Sequence, residues 1–225
     1  NKVEVQVENS TGTGKALDKF TNPGVSGFGE DKKLYIIAIG VNNYPHVPHI
    51  CMNGAEPCDL KYAVKDATEF LQTMMQVARE HYDEDDIVPI LLVNRDETSA
   101  DRHIEPTRHN IVKALNILGK ARYQDTSIVY LAGHGVNKAP SGADMKSYNF
   151  LPTDSRVVND GNTWDGNSVL EWVNIVSPLA NASGKRILFF DTCHSAAFYN
   201  SYFFREAANG NIMVFSAASP TRKLS

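Results

Sequence analysis

The sequence predicts a three-layer α/β/α fold in which a mostly parallel central sheet carries helices on both faces. Two observations lead there. Bulky apolar runs at 33–41, 87–93, 127–132, 186–190 and 212–217 alternate with stretches whose apolar residues recur at helical spacing. Two of these runs also break abruptly into polar, reactive residues. Ser127 to Ala132 leads into Gly133, His134 and Gly135, and Arg186 to Phe190 leads into Asp191, Thr192, Cys193, His194 and Ser195. Open parallel sheets hold their sites outside the carboxyl ends of strands, so both breaks are expected on one crevice edge.

Composition bounds the rest. The chain has 225 residues, 42% of them hydrophobic, which is enough for one substantial core. Net charge is -4 with the basic residues scattered, so nucleic-acid binding has no electrostatic footprint. No apolar run approaches the roughly 20 residues that cross a bilayer, and no membrane association is expected. The compartment stays open, with a soluble, cytoplasmic location favoured. The chain starts at Asn1, which suggests a processed or excised chain. Three cysteines, Cys51, Cys58 and Cys193, are too few for a disulfide-built scaffold, and the odd count leaves at least one thiol free. Spacing alone leaves Cys51 and Cys58 either paired or reduced.

In chain order, Val3 to Val7 alternates as a short strand, and Asn9 to Gly29 reads as loop or linker. Residues 1–32 are therefore expected to be a strand and linker ahead of a main domain at 33–225. Gly12 to Lys15 resembles part of a phosphate loop, but Asn9 and Ala16 stand where Gly and Ser or Thr are needed. Lys33 to Val41 reads as a buried strand. Asn42 to Asp59 is a long irregular connection, of a length that is often functional. Its His46, His49, Cys51 and Cys58 lack the usual paired zinc-ligand spacing, so an ordinary loop is favoured over a metal site.

Asp59 is expected to cap a helix from Leu60 to about Arg79, with Leu60, Val64, Ala67, Leu71, Met74 and Ala78 on one stripe and Asp66 off it. Asp83 to Asp86 reads as a solvated turn, with calcium binding a distant second. Ile87 to Val93 is expected as a second buried strand. Thr107 should cap a helix to about Arg122, with Ile111, Leu115 and Leu118 facing inward. The third strand is Ser127 to Ala132, followed by a loop at 138–146 and a short extended piece at Tyr148 to Leu151. Asp165 is expected to start a helix that Pro178 stops. A fourth strand at Arg186 to Phe190, a short helix over Ala196 to Ala208 and a fifth strand at Ile212 to Ala217 complete the pattern.

The residues at the two breaks can do nucleophilic chemistry. Nearby cations and helix starts lower a thiol's pKa, and Cys193 has the imidazole of His134 and a candidate helix start at Ser195. The N–H groups of Gly135 and Cys193 are candidates for an oxyanion hole. Taken singly, a buried cysteine or a Gly-His-Gly turn is unremarkable; together at matched strand ends they favour catalysis. Asp191 should point the same way as Cys193 from an extended segment. An anion there disfavours a thiolate, but it suits a site that receives a cation such as a substrate Lys or Arg. Asp191 could instead cap the following turn.

Ala132 to Gly135 together with Asp191 to Ser195 resembles the paired motifs of the caspase-like cysteine peptidases, in the metacaspase and bacterial orthocaspase branch. His134 and Cys193 stand 59 residues apart, close to the roughly 50 of caspases. The stretch from Leu60 to Ala67 is similar to that family's first helix, and the likeness runs from about Lys33 onward. It implies a caspase-like fold and an endopeptidase with a His134–Cys193 dyad, in which the histidine mainly protonates the leaving amine. It also implies cleavage after Arg or Lys, with Asp66 and Asp191 in the S1 pocket, and protein or peptide substrates. Caspases that cut after Asp carry a Q-A-C-x-G signature, absent here. Ala196 stands where metacaspases usually have Gly. No cofactor is expected; calcium activates some relatives, so calcium activation stays open here, with no ligands assignable to residues of this chain. The family domain continues beyond Ser225, so a C-terminal fragment of the same precursor is a candidate partner, and Arg222 or Lys223 a candidate point of self-processing. The rival reading is a catalytically silent caspase-fold scaffold. An α/β-hydrolase is disfavoured because G-x-S-x-G is missing.

Overall fold

A computed structural model describes residues 3–9, 12–18, 32–47, 59–94, 104–137, 148–158, 163–192 and 207–216. Two units emerge, Asn1–Asp31 and Lys32–Ser225. In the first, β1 (Val3–Asn9) pairs antiparallel with β2 (Gly12–Asp18). The stretch after Asn9, expected as a loop, thus contains a second strand.

The second unit is built on five parallel strands. They are β3 (Leu34–Gly40), β4 (Ile87–Val93), β5 (Thr126–Gly133), β11 (Lys185–Thr192) and β12 (Ile212–Ser216), in the spatial order β12-β11-β5-β3-β4. Every residue of β3 is buried, the signature of a strand covered on both faces. Leu34, Ile36 and Ala38 join Ile128 and Tyr130 under helix α1 (Ala63–Ala78). Tyr35, Ile37 and Ile39 join Val129 and Leu131 beneath α2 (Arg108–Asn116) and α3 (Trp172–Asn181). Each such aliphatic side chain contributes about 1.5–3 kcal/mol by leaving water. The layers are therefore α1, sheet, and α2 with α3. At Gly40 a Cβ would collide with the carbonyl oxygen of Ala63, so glycine lets α1 lie directly on the end of β3.

Among the described residues, five short strands lie outside this sheet. β6 (Gly135–Asn137), β7 (Tyr148–Phe150) and β10 (Leu170–Glu171) form a small antiparallel sheet, and β8 (Val157–Val158) pairs with β9 (Thr163–Trp164).

Several expectations shift. Asp59 does not cap α1: its Oδ1 accepts from the Tyr44 N–H at 3.0 Å, and the helix begins four residues later. The Asn42 side chain, from the preceding connection, accepts from the Val64 N–H at 3.1 Å and serves the first turn instead. Thr107 caps α2 as expected, accepting from Asn110 N–H at 3.3 Å. The regular helix ends at Asn116 and continues as a 3-10 turn to Lys120. β4 lies at the sheet edge, with Pro89 exposed in the position edge strands tolerate. Asp165 forms a turn, accepting from Asn167 N–H at 2.9 Å. Leu170 is then used as a strand partner of Phe150, so α3 starts only at Trp172. Pro178 lies inside α3, which runs on to Asn181 because Trp172, Ile175, Val176 and Leu179 are buried along it. The expected helix at 196–208 falls largely outside the described residues.

Candidate active site

The strand order reverses beside β3, since the chain leaves it for β4 on one side and returns to β5 on the other. Such a switch point leaves a crevice beyond the carboxyl ends of the two strands. The Val41 N–H donates to Ala132 O at 3.0 Å across it. His134 lies just past β5, half-buried, where the strand breaks before β6.

The break has a local cause. The His134 carbonyl accepts from Leu151 N–H at 3.0 Å, as in an antiparallel ladder with β7. Its N–H instead donates to the hydroxyl of Tyr44 at 2.8 Å. Bonded and non-bonded pairs alternate in such ladders. Gly135, opposite Phe150, is thus in a non-bonded pair, and its N–H points away from β7. Gly133 has φ 156°, and a Cβ there would press on the Tyr44 hydroxyl at 3.0 Å and on the Phe150 ring at 3.1 Å. Glycine before His134 thus suits both the positive φ and the tight packing against these two side chains.

β11 runs beside β5 with Asp191 opposite Ala132 and Thr192 opposite Gly133. The buried Thr192 hydroxyl is anchored by Tyr148 Oη at 2.8 Å. Asp191 is exposed at the strand end and accepts from Tyr130 Oη at 3.2 Å. It borders an open cleft of about 240 Å³ lined by Tyr130, Phe189, Phe190, Phe215 and Ser216. Phe189 stacks on Phe215 at 4.9 Å, and Phe70 of α1 stacks on Tyr130 at 4.4 Å. The result is an aromatic slot with a carboxylate beside it.

Asp66 sits in the first turn of α1. Burial and then the charges of Asp191 and Glu69 push its carboxyl above the usual range, against the opposing pull of Lys65. Burial also raises the Tyr130 phenol, helped by Asp191 and Asp66. Asp66, Asp191 and Tyr130 thus form one electrostatic group drawn from three elements. Cys193 and the loop after it lie outside the described residues, so its relation to His134 and its backbone N–H are not part of this geometry. So do His49, Cys51 and Cys58, while His46 is exposed. Among the described residues no three His, Cys, Asp or Glu side chains gather as a metal site. No helix among them is long and apolar enough to cross a membrane.

The profile of the family described as metacaspase, peptidase C14 domain, matches residues 36–201, well over half of the chain. The chain belongs to the metacaspase family. It is accordingly a caspase-like cysteine peptidase domain whose substrates are proteins, and the five-stranded parallel sheet with flanking helices agrees with the caspase-like fold. No curated protein sequence matches the chain. Two residues of this metacaspase domain had no signal in the motif reading. Tyr44 could have been noticed as an aromatic placed just after a strand end. Tyr130 lies on β5 two residues before Ala132, the partner of Asp191, hence on the same face of the strand as Ala132.

Proposed function

We propose that the chain is an endopeptidase that cleaves after Arg or Lys, with Cys193 as nucleophile and His134 as acid/base partner. The observation that carries the specificity is the Asp66–Asp191 pair beside an aromatic slot. The Asp66 carboxylate, whose ionisation is disfavoured by burial and by the charge of Asp191, gains from a bound cation. An aromatic wall suits the long aliphatic stem of Arg or Lys and the face of a guanidinium.

In this reading the Cys193 sulfur attacks the scissile carbonyl. The carbonyl oxygen takes up negative charge, and the N–H groups of Gly135 and Cys193 receive it. The outward direction of the Gly135 N–H supports that role. Collapse of the intermediate breaks the C–N bond as His134 gives a proton to the leaving amine. Water, with His134 as base, then hydrolyses the thioester and restores the thiol. Thr192 pairs with Gly133, so the residues on either side of the crevice come from neighbouring strands in register, which supports the pairing of His134 with Cys193.

The test is a fluorogenic peptide panel varied at P1, run on the wild type and on Cys193→Ala. Cleavage after Arg and Lys that disappears in Cys193→Ala is expected. Cleavage after Asp alone would overturn the specificity, and wild-type turnover equal to that of Cys193→Ala would overturn the nucleophile.

A further inference from the structure

Tyr44 is buried at 3% exposure, yet its hydroxyl makes two bonds at the crevice. It accepts from the His134 backbone N–H at 2.8 Å and donates to Val41 O at 3.2 Å. Its ring also lies against the imidazole, with centroids 5.0 Å apart and planes tilted by 41°. One side chain therefore ties the end of β3 to the residue just past β5 and touches the imidazole as well.

The segment bearing Tyr44 is itself braced. Asn94, buried at the end of β4, accepts from the N–H groups of Asn42 and Asn43 at 2.6 and 3.0 Å. Its amide donates to Thr153 Oγ1 at 2.9 Å, and Thr153 donates on to Asn43 O at 2.9 Å. Asp59 accepts from Tyr44 N–H at 3.0 Å, and Leu60 N–H donates to Asn42 O at 2.8 Å. Connections that carry only solvent-facing residues have no need of such bracing, because water satisfies their backbone. Here the bonds converge on the segment that delivers one phenol to His134.

We infer that Tyr44 is a positioning residue for His134, setting the backbone and ring placement from which the imidazole reaches the leaving amine. This rests on the reading of His134 as acid/base partner. A proton donor displaced by a fraction of an ångström loses transition-state stabilisation while substrate binding persists, so the cost falls on kcat and leaves KM in place.

The experiment compares wild type, Tyr44→Phe and Asp59→Ala by steady-state kinetics on an Arg-P1 peptide and by NMR of the His134 imidazole. Tyr44→Phe keeps the ring and removes the hydroxyl. Asp59 is exposed, so Asp59→Ala leaves the core intact and loosens the Tyr44 backbone. Tyr44→Phe is expected to lower kcat about fivefold to tenfold, the size of one lost hydrogen bond, with KM unchanged. Asp59→Ala is expected to lower kcat about twofold to threefold. In both, the His134 imidazole signals shift. Wild-type kcat together with unmoved imidazole signals in both variants would overturn the inference, as would a loss confined to KM. The NMR arm needs no turnover: if the wild type cleaves nothing, the peptidase reading fails while the imidazole signals still decide whether Tyr44 places His134.

Discussion

The hydroxyl of Tyr130 lies 3.2 Å from Oδ2 of Asp191 and donates to it. Burial and the neighbouring carboxylates hold the phenol protonated above its ordinary range, so this donor persists at every pH at which a peptidase would be assayed. The bond orients an exposed carboxylate that otherwise has rotational freedom, and it spreads charge that Asp66 would feel. Tyr130→Phe keeps the stack on Phe70 and deletes only the donor. KM for Arg-P1 and Lys-P1 peptides should rise about fivefold, less than a hydrogen bond to a charged group usually contributes, because the bond is long and Asp191 is exposed. Steady-state kinetics would check it. An unchanged KM would show that Asp191 needs no help to meet its ligand.

Asp66 couples activity to stability in opposite senses. Its carboxyl is raised in the fold, first by burial and then by Asp191. An acid whose folded pKa exceeds its unfolded one binds more protons in the folded state, so stability falls as pH rises from about 3.8 through the folded value. Asp66→Asn should therefore raise the melting temperature at pH 7 and lose that advantage below pH ~3.8. On the S1 role proposed for Asp66, the same substitution should lower kcat/KM for basic P1 residues by about tenfold or more, because it removes the charge that meets the substrate cation. Thermal unfolding at both pH values, beside the P1 panel, measures the two effects. A variant less stable at pH 7 would mean that the carboxylate has a favourable partner in the fold.

Much of this architecture could be read from residue pattern, and the failures are instructive. The all-buried β3 and the body of β5 were legible because a two-face-buried strand needs an unbroken apolar run. β11, by contrast, runs two residues past the expected end at Phe190, through Asp191 and Thr192, because its pairing with β5 continues to Gly133. The start of α1 was not legible. Asp59 has the chemistry of a cap, but tertiary contacts spent its carboxylate on Tyr44 and supplied Asn42 to the helix. Pro178 was misread because propensity treats proline as a stop, whereas four buried side chains hold α3 together through it. Within the site, His134, Asp66 and Asp191 carry recognisable chemistry at recognisable places. Tyr44 and Tyr130 do not, since a tyrosine on or after a strand is ordinary core until its hydroxyl is seen to have a partner.

The opposite end of the sheet yields the last prediction. Asp125 is buried, and its carboxylate accepts from Lys33 N–H at 2.8 Å, Arg122 N–H at 2.7 Å and, more weakly, Arg122 Nε at 3.4 Å. Its carbonyl accepts from Lys185 N–H at 3.0 Å. One residue thus joins the segments that enter β3, β5 and β11, at the end of the strands away from His134. Burial would raise the carboxyl, but the bonds from Arg122 and Lys33 outweigh it and hold it below the usual range. A depressed folded pKa gives stability that is fully present above about 3.8 and is lost as pH falls through the folded value. Asp125→Asn puts an amide N–H donor where an accepting oxygen stood, facing other donors, and leaves at least one of them unpaired, at a cost of about 1–3 kcal/mol. The midpoint of urea unfolding at pH 7 should fall accordingly, and the gap between variant and wild type should narrow at acid pH. KM for basic peptides should stay near the wild-type value, because Asp125 touches nothing at the crevice. Equal midpoints at pH 7 would show that the three strand entries do not depend on this carboxylate.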